Sequence, residues 1–361
     1  MRRREFIARL GATASLAVRS VRAAVAESGE RICPGLPRSS RTTARAPLRV
    51  TLTAIVPFLA LSAAASAQEL LTIAIGQRGG WEQCVSELGQ GRGIFRRHGL
   101  KLDLLYTQGS AETMQSVISN SVTVGIGVGT HAFLAAFFKQ APIRAIGGSF
   151  TSADEQFYYV PGDSPIRSIK EADGKSIAVS TTGSASNMFA LHLARQFGVT
   201  LRPQPTGAYA ATLTQTLTRQ VDIGFSQAPF NLTYVEDGRI RIIARGSDVA
   251  ALRDMTSRLL VVNTATLEGR GEALRRYIAA YGETLDWMYS DAAAITAYAA
   301  WSGLPESIAA QAPQYLTRRN MDPLRISGLP GIQEDAVRFK YVPAPLPEAA
   351  LAEAFRVDAV R

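Results

Sequence analysis

Cysteine is nearly absent from this 361-residue chain, histidine is rare and charge is sparse: 2 Cys, 3 His and 19% charged residues stand against 47% hydrophobic ones. Each shortage excludes something. Cys33 falls in the N-terminal leader described below, so Cys84 is alone in the mature chain and no internal disulfide is expected. Cys33 sits in Arg31-Ile32-Cys33-Pro34 rather than at the end of an apolar run, which argues against a lipid-anchored cysteine. His98, His131 and His192 are scattered without metal-ligand spacing. Each is expected in an ordinary surface or core role, and neither a metal nor a cofactor is expected. A chain this apolar is neither disordered nor of low complexity.

Basic charge is plentiful only at one end. Of the formal net charge of +9, residues 1–67 hold 11 Arg, no Lys and 3 Glu, leaving 28 basic and 27 acidic groups for the other 294 residues. A near-neutral body has no electrostatic footprint for a phosphate backbone, so nucleic acid is not an expected partner. Catalytic motifs are missing as well. Gly76-Gln77-Arg78-Gly79-Gly80 is not G-x-G-x-x-G, there is no P-loop or Gly-x-Ser-x-Gly elbow, and no Asp/Glu pair is arranged for acid–base work. The residues give no sign of an enzyme.

The leader occupies residues 1–67. Arg41, Arg45 and Arg49 precede an uncharged run from Val50 to Gln68 with an apolar heart at Ala54–Leu61. Ala65-Ser66-Ala67 is the small-x-small pattern read by signal peptidase, so cleavage is expected after Ala67. A membrane anchor would need about 20 apolar residues, and Pro57 with the Ser/Ala-rich end argues against one. Arg3-Arg4-Glu5-Phe6-Ile7 resembles a twin-arginine export motif, which leaves the route open between that pathway and the general secretory one.

Beyond the leader, short apolar strands alternate with helices. Strands are expected at Leu70–Ile75, Leu100–Tyr106, Val122–Val128, Ile143–Gly147, Phe157–Val160 and Ile177–Ser180. Helices are expected from Trp81 into Gly93, near Glu112–Ser119, at Phe133–Lys139 and at Ser184–Phe197. Strand–helix alternation with short glycine-containing links predicts an α/β fold with mostly parallel sheets. The last hundred residues are helical, with Leu274, Tyr277, Ile278, Tyr281, Leu285 and Met288 at helical spacing as a core-facing stripe. Ala292–Trp301, Glu306–Tyr315 and Leu346–Phe355 continue the helical pattern. Thr113–Gly125 and Thr212–Gly224 read as two copies of one helix–turn–strand element, which suggests two similar lobes.

These residues carry a family resemblance. Gly93-Ile94-Phe95-Arg96-Arg97-His98-Gly99-Leu100-Lys101-Leu102, the two copied elements and Gly174-Lys175-Ser176-Ile177-Ala178-Val179…Gly183-Ser184 resemble, in order, segments of substrate-binding proteins of the nitrate/sulfonate/taurine type, the SsuA/THI5-like family. The first copy departs from the family pattern, with Asn120 and Thr123 where Gly and Asp are usual. The resemblance implies a two-lobe, hinge-closing periplasmic-binding-protein fold of type II, with residues 68–158 plus 258–361 as lobe 1 and 159–257 as lobe 2. It implies a monomeric periplasmic receptor that delivers a small solute to an inner-membrane ABC permease and its ATPase. Phe157–Val160 and Leu259–Val262 are expected as the strands crossing between lobes. An enzyme of the thiamine-pyrimidine synthesis type and a non-transporting sensory protein are the alternatives; the first needs a Cys-rich segment that is not present here.

Ligands of open α/β sheets bind beyond the carboxyl ends of strands, where helix N-termini favour anions. An anionic organic solute such as a sulfonate or carboxylate is therefore expected. Five loops fit: Gly76–Trp81, Gln108–Ala111, Gly129–His131, Ser180–Ser186 and Ser226–Pro229. From the first, Gln77, Arg78 and Trp81 offer an amide, a guanidinium fork and a flat indole wall. Ser110, Thr130 and His131 follow from the next two. Thr182, Gly183, Ser184 and Ala185 would hold the polar head of the solute at a helix start, with Arg78 and Trp81 facing it across the cleft. Tyr209 and Gln227 complete the candidate set.

Overall fold

Strands β1 (Glu69–Gly76), β2 (Leu100–Thr107) and β3 (Val124–Gly129) are the apolar runs that open the folded body. In the computed structural model, which describes residues 68–361, they pair in parallel with β1 in the middle. The leader and its cleavage after Ala67 lie outside the described residues. Helices α1 (Val85–Gly91), α2 (Ile94–Arg97), α3 (Ser110–Ile118) and α4 (Thr130–Phe138) supply the crossovers, as parallel pairing requires. Strands β4 (Ile143–Thr151) and β10 (Thr256–Asn263) complete this sheet in the order β2-β1-β3-β10-β4, with β10 antiparallel to both neighbours. Every residue of β3 and β10 is buried, because helices cover both faces.

A second sheet is built from the intervening chain. Strands β5 (Gln156–Pro161), β8 (Gly224–Gln227) and β9 (Ile240–Arg245) pair antiparallel in the order β8-β5-β9. Strands β6 (Lys175–Val179) and β7 (Leu201–Pro205) pair in parallel and join the rest through a bridge between Ile177 and Ile223. Helices α5 (Ala185–Phe197), α6 (Tyr209–Leu217) and α7 (Leu232–Glu236) link them. The chain passes between the sheets through residues 152–155 and 246–255. Phe157–Val160 and Leu259–Val262, expected as the crossing strands, instead lie wholly within one sheet each, in β5 and β10. Their apolar character reflects central sheet positions rather than a passage between lobes.

The remaining chain is helical: α8 (Thr264–Gly269), α9 (Gly271–Ser290), α10 (Ala293–Ser302), α11 (Glu306–Ala309), α12 (Ala312–Tyr315), α13 (Leu329–Arg338) and α14 (Glu348–Ala354). The stripe of α9 from Leu274 to Met288 is buried against β1, β3, β10 and α1. The helix expected at Glu306–Tyr315 is broken into α11 and α12 around Ala310-Gln311, and the one expected from Trp81 begins only at Val85. Among the described residues no helix is long and apolar enough to cross a membrane. The result is the α/β, two-lobe type II arrangement that the resemblance implied, each sheet flanked by helices, but the sheets are mixed rather than mostly parallel, since only β1–β3 and β6–β7 pair in parallel.

Candidate ligand-binding cavity

The carboxyl ends of β1, β3, β6 and β8 converge between the two sheets on a narrow pocket with a free volume of about 30 Å³. From the first sheet come Gly76, Gln77 and Gln83 after β1, Gly109 and Ser110 at the start of α3, Gly127 of β3 and Arg258 of β10. From the second come Gln156 of β5, Ser180 and Ser184–Ser186 at the start of α5, Tyr209 at the start of α6 and Phe225 of β8. Glycine is required at one of these places: Gly127 bends β3 with φ +81, a conformation that L side chains resist. Gln77 adopts φ +75 without that freedom, and such strain is characteristic of sites where the surroundings dictate the backbone.

The polar groups of the pocket divide into satisfied and unsatisfied ones. At the start of α5, Ser184 Oγ caps the Asn187 N–H, Ser186 Oγ accepts from the Ser180 N–H at 2.9 Å, and Asn187 Oδ1 accepts from the Gly183 N–H. This hydroxyl-rich turn therefore spends much of its capacity on itself. Ser110 Oγ accepts from the Gly129 N–H at 2.7 Å, and the Tyr209 hydroxyl donates to Gln227 Oε1 at 2.6 Å. By contrast, Gln77 Oε1 and Gln227 Nε2 are buried without a partner. A buried polar atom left unpaired costs about 1–3 kcal/mol, so such atoms mark where an occupant or ordered water would bind.

Beside the pocket lies a charged group that sequence reasoning missed. Arg258 Nε donates to Glu82 Oε2 and Nη2 to Glu155 Oε1, both at 2.7 Å, with both carboxylates essentially inaccessible to solvent. The guanidinium also lies 4.8 Å above the Phe150 ring. Burial opposes the charge of Arg258, but Glu82 and Glu155 outweigh it and raise its pKa. Burial pushes Glu155 up to about 7 against the pull of Arg258. One signal was available: Arg258 is the lone charge in the otherwise uncharged run Met255–Thr266 that contains β10.

The structure brings together only part of the predicted set. Gln77, Ser110, Ser184, Ala185 and Tyr209 line the pocket, and Gln227 supports it through Tyr209. Arg78 does not reach it. Its side chain is exposed on the far side of the loop, stacked 4.7 Å over the Trp301 ring and close to Tyr106. Trp81 is fully buried in the hydrophobic core, edge-on to Tyr298 and Tyr289, with its indole N–H donating to the Tyr289 hydroxyl. The loop after β1 turns both side chains away from the second sheet, so the expected guanidinium and indole wall is not formed. Thr182 is exposed outside the pocket, and Gly183 packs on Ala132 behind it. Thr130 donates to the Thr256 carbonyl at 2.6 Å, a bond that ties the start of α4 to β10 in the scaffold. His131 is buried beside Tyr341, and burial pushes its pKa down to about 4, so it is neutral at pH 7. Among the described residues no group of His, Cys, Asp or Glu could hold a metal ion.

With this geometry in view, known proteins provide a comparison. The family model described as NMT1/THI5 like matches residues 88–294, more than half of the chain. No curated protein matches. Among solved structures, the alkanesulfonate-binding protein SsuA from Xanthomonas axonopodis pv. citri bound to MOPS is 18% identical, with 81% of this chain and 95% of that one covered and a TM-score of 0.61. The periplasmic nitrate-binding protein NrtA from Synechocystis PCC 6803 is 11% identical, with 81% and 87% covered and a TM-score of 0.64. The desulfurization enzyme DSZB is 16% identical, with 81% and 98% covered and a TM-score of 0.58. At these identities the likeness concerns the fold, which has served both binding and catalysis.

Proposed function

Because the chain belongs to the NMT1/THI5-like family, we propose that it is a periplasmic solute receptor that captures a small polar molecule and delivers it to an inner-membrane ABC permease and its ATPase. The observation that carries this reading is the pocket lined from both sheets, with residues such as Gln77 and Ser110 on one side and Ser184 and Tyr209 on the other. A solute touching both sides stabilises the closed state over the open one, which is the signal a permease can read. We assign lobe 1 to residues 68–151 plus 256–361 and lobe 2 to 156–245, since the bounds expected at 158 and 258 fall inside β5 and β10, and take the receptor to act as a monomer after export.

Binding without turnover is the favoured reading for two groups that could otherwise act as nucleophile and base. Cys84 is buried away from the pocket with its Sγ on the Trp81 carbonyl, and burial pushes its thiol well above the usual range. His131 is buried beside Tyr341 and does not line the pocket. The test is to incubate the purified protein with a small-molecule extract of its host, remove unbound material and identify what remains by native mass spectrometry. One small molecule should be recovered unchanged, and at 100 times its Kd it should stabilise the fold by about 2.7 kcal/mol. Small-angle scattering should show the protein contracting. A transformed product, or no bound molecule at all, would reject the receptor reading.

A further inference from the structure

The pocket turn at the start of α5 is gripped by a segment of the other lobe. Ser184, Ala185 and Ser186 line the pocket, and the next residue, Asn187, is 6% exposed. Its Oδ1 accepts from the Gly183 N–H at 2.9 Å and from the Tyr341 hydroxyl at 3.0 Å. A carboxamide has one accepting end and one donating end, so the turn closes only with the oxygen toward Gly183. The Tyr341 hydroxyl donates to that same oxygen and holds it there.

Tyr341 is aimed by its own stretch of chain. It follows α13, which ends in a left-handed turn: the Lys340 and Tyr341 N–H groups donate to the Val337 and Ala336 carbonyls at 3.0 and 2.7 Å, and Lys340 takes φ +62 where glycine is the usual residue. Earlier on α13, Asp335 Oδ2 lies 2.9 Å from His192 Nε2 of α5, with both side chains buried. Ahead of the helix, the Thr256 N–H donates to the Ser327 carbonyl at 3.0 Å and the Ser327 N–H to Thr256 Oγ1 at 2.8 Å. Residues 327–342 thus leave the first residue of β10, in lobe 1, and reach α5 of lobe 2 at two points. The arrangement is the closed one. A Cβ on Gly129 of lobe 1 would lie 2.8 Å from the Gly183 carbonyl oxygen, and Gln83 meets Gln227 across the pocket at 3.5 Å.

We propose that residues 327–342 form a latch that favours the closed state, with Tyr341 as the residue that couples closure to the pocket turn. The proposal rests on the receptor reading. Tyr341 does not line the pocket; it acts through Asn187 on the turn that carries Ser184 and Ser186. A bond between lobes that exists only when they meet adds its whole strength to the closed state, and a solute that needs the closed state is bound more tightly by the same factor.

The experiment places spin labels on the two lobes of the purified protein, at Lys101→Cys and Lys170→Cys, and reads the closed and open populations from the distance distribution. Tyr341→Phe keeps the ring and removes only the hydroxyl. It should lower the closed-to-open ratio about fivefold, the loss of one hydrogen bond. The molecule recovered from the host extract should bind this variant about fivefold more weakly, through faster release. In an Asn187→Ala background Tyr341→Phe should weaken neither closure nor binding further, whereas a packing role for the tyrosine would give the same loss in both backgrounds. The proposal is overturned when Tyr341→Phe moves neither the populations nor the affinity, or when its effect is undiminished by Asn187→Ala. The receptor reading survives both results, because it fails only when no molecule is recovered from the host extract or a transformed product is; the populations without solute still decide the latch in that case.

Discussion

In the first helix–turn–strand unit, α3 into β3, the hydroxyls of Thr107 and Thr113 meet at 2.7 Å; ninety-nine residues later, in α6 into β8, those of Thr206 and Thr212 meet at 2.6 Å. Asn120 and Arg219 turn the chain within the two units with φ +56 and +60. Thr123 Oγ1 then accepts from the Thr72 N–H at 3.1 Å, and Asp222 Oδ2 accepts from the Ser176 N–H at 2.9 Å. The departures of the first copy from the family pattern thus preserve its geometry. Asparagine tolerates the left-handed turn, and a hydroxyl replaces the carboxylate as acceptor. What differs is the head of each unit. Ser110 accepts from the Gly129 backbone N–H at the end of β3, while Tyr209 donates its phenol to the Gln227 side chain at the end of β8. The scaffold repeats, and the pocket lining does not.

The largest expected break in this likeness lies in the loops that precede the units. Trp81→Ala empties an indole-sized space in the first core and should cost about 3–5 kcal/mol in chemical denaturation. Ser184→Ala, in the loop after β6, removes only a helix cap and should cost about 0.5–2 kcal/mol. Equal losses would show that Trp81 is not packed as described.

Overpacking sharpens the comparison at the strand starts. A Cβ on Gly224 would lie 2.4 Å from the Tyr159 ring and 2.5 Å from Thr216 Oγ1, whereas one on Gly125 meets a Val117 methyl at 2.7 Å. Both alanine variants should lose about 1–3 kcal/mol, with Gly224→Ala the worse of the two. The threonine pairs should then behave alike: Thr113→Val and Thr212→Val each lose a buried hydroxyl pair worth about 1 kcal/mol. A difference of more than twofold between them would break the equivalence.

The smallest effect is in acid. Burial pulls the Asp222 carboxyl upward, but hydrogen bonds from Ser176, with Lys175 and Arg202 nearby, outweigh it and leave the pKa below the ordinary aspartate range. A depressed folded-state pKa gives stability that is present above the unfolded value near ~3.9 and is lost as pH falls through the folded one. Thr123 cannot titrate. Hydrogen exchange at the Ser176 N–H should therefore speed up in acid more than at the Thr72 N–H, and Asp222→Thr should remove the excess.

Strand and helix positions, the helical C-terminal region and the duplicated unit could be read from residues 68–361 because they depend on local periodicity and on turn chemistry at positions such as Gly93 and Gly174. Ser184 and Ala185 could be placed at the pocket for the same reason: the start of a helix after a strand is a local feature. The direction of Arg78 and Trp81 was not local. Within one glycine-rich turn, each side chain is aimed by what surrounds it, and here Trp301 and the Tyr289–Tyr298 pair draw both outward. The Glu82–Arg258–Glu155 group shows the same limit more sharply, because its members lie 73 to 176 residues apart along the chain. Composition counts these charges but cannot pair them. Only the folded chain brings them out of water together, where the two carboxylates keep the buried guanidinium charged.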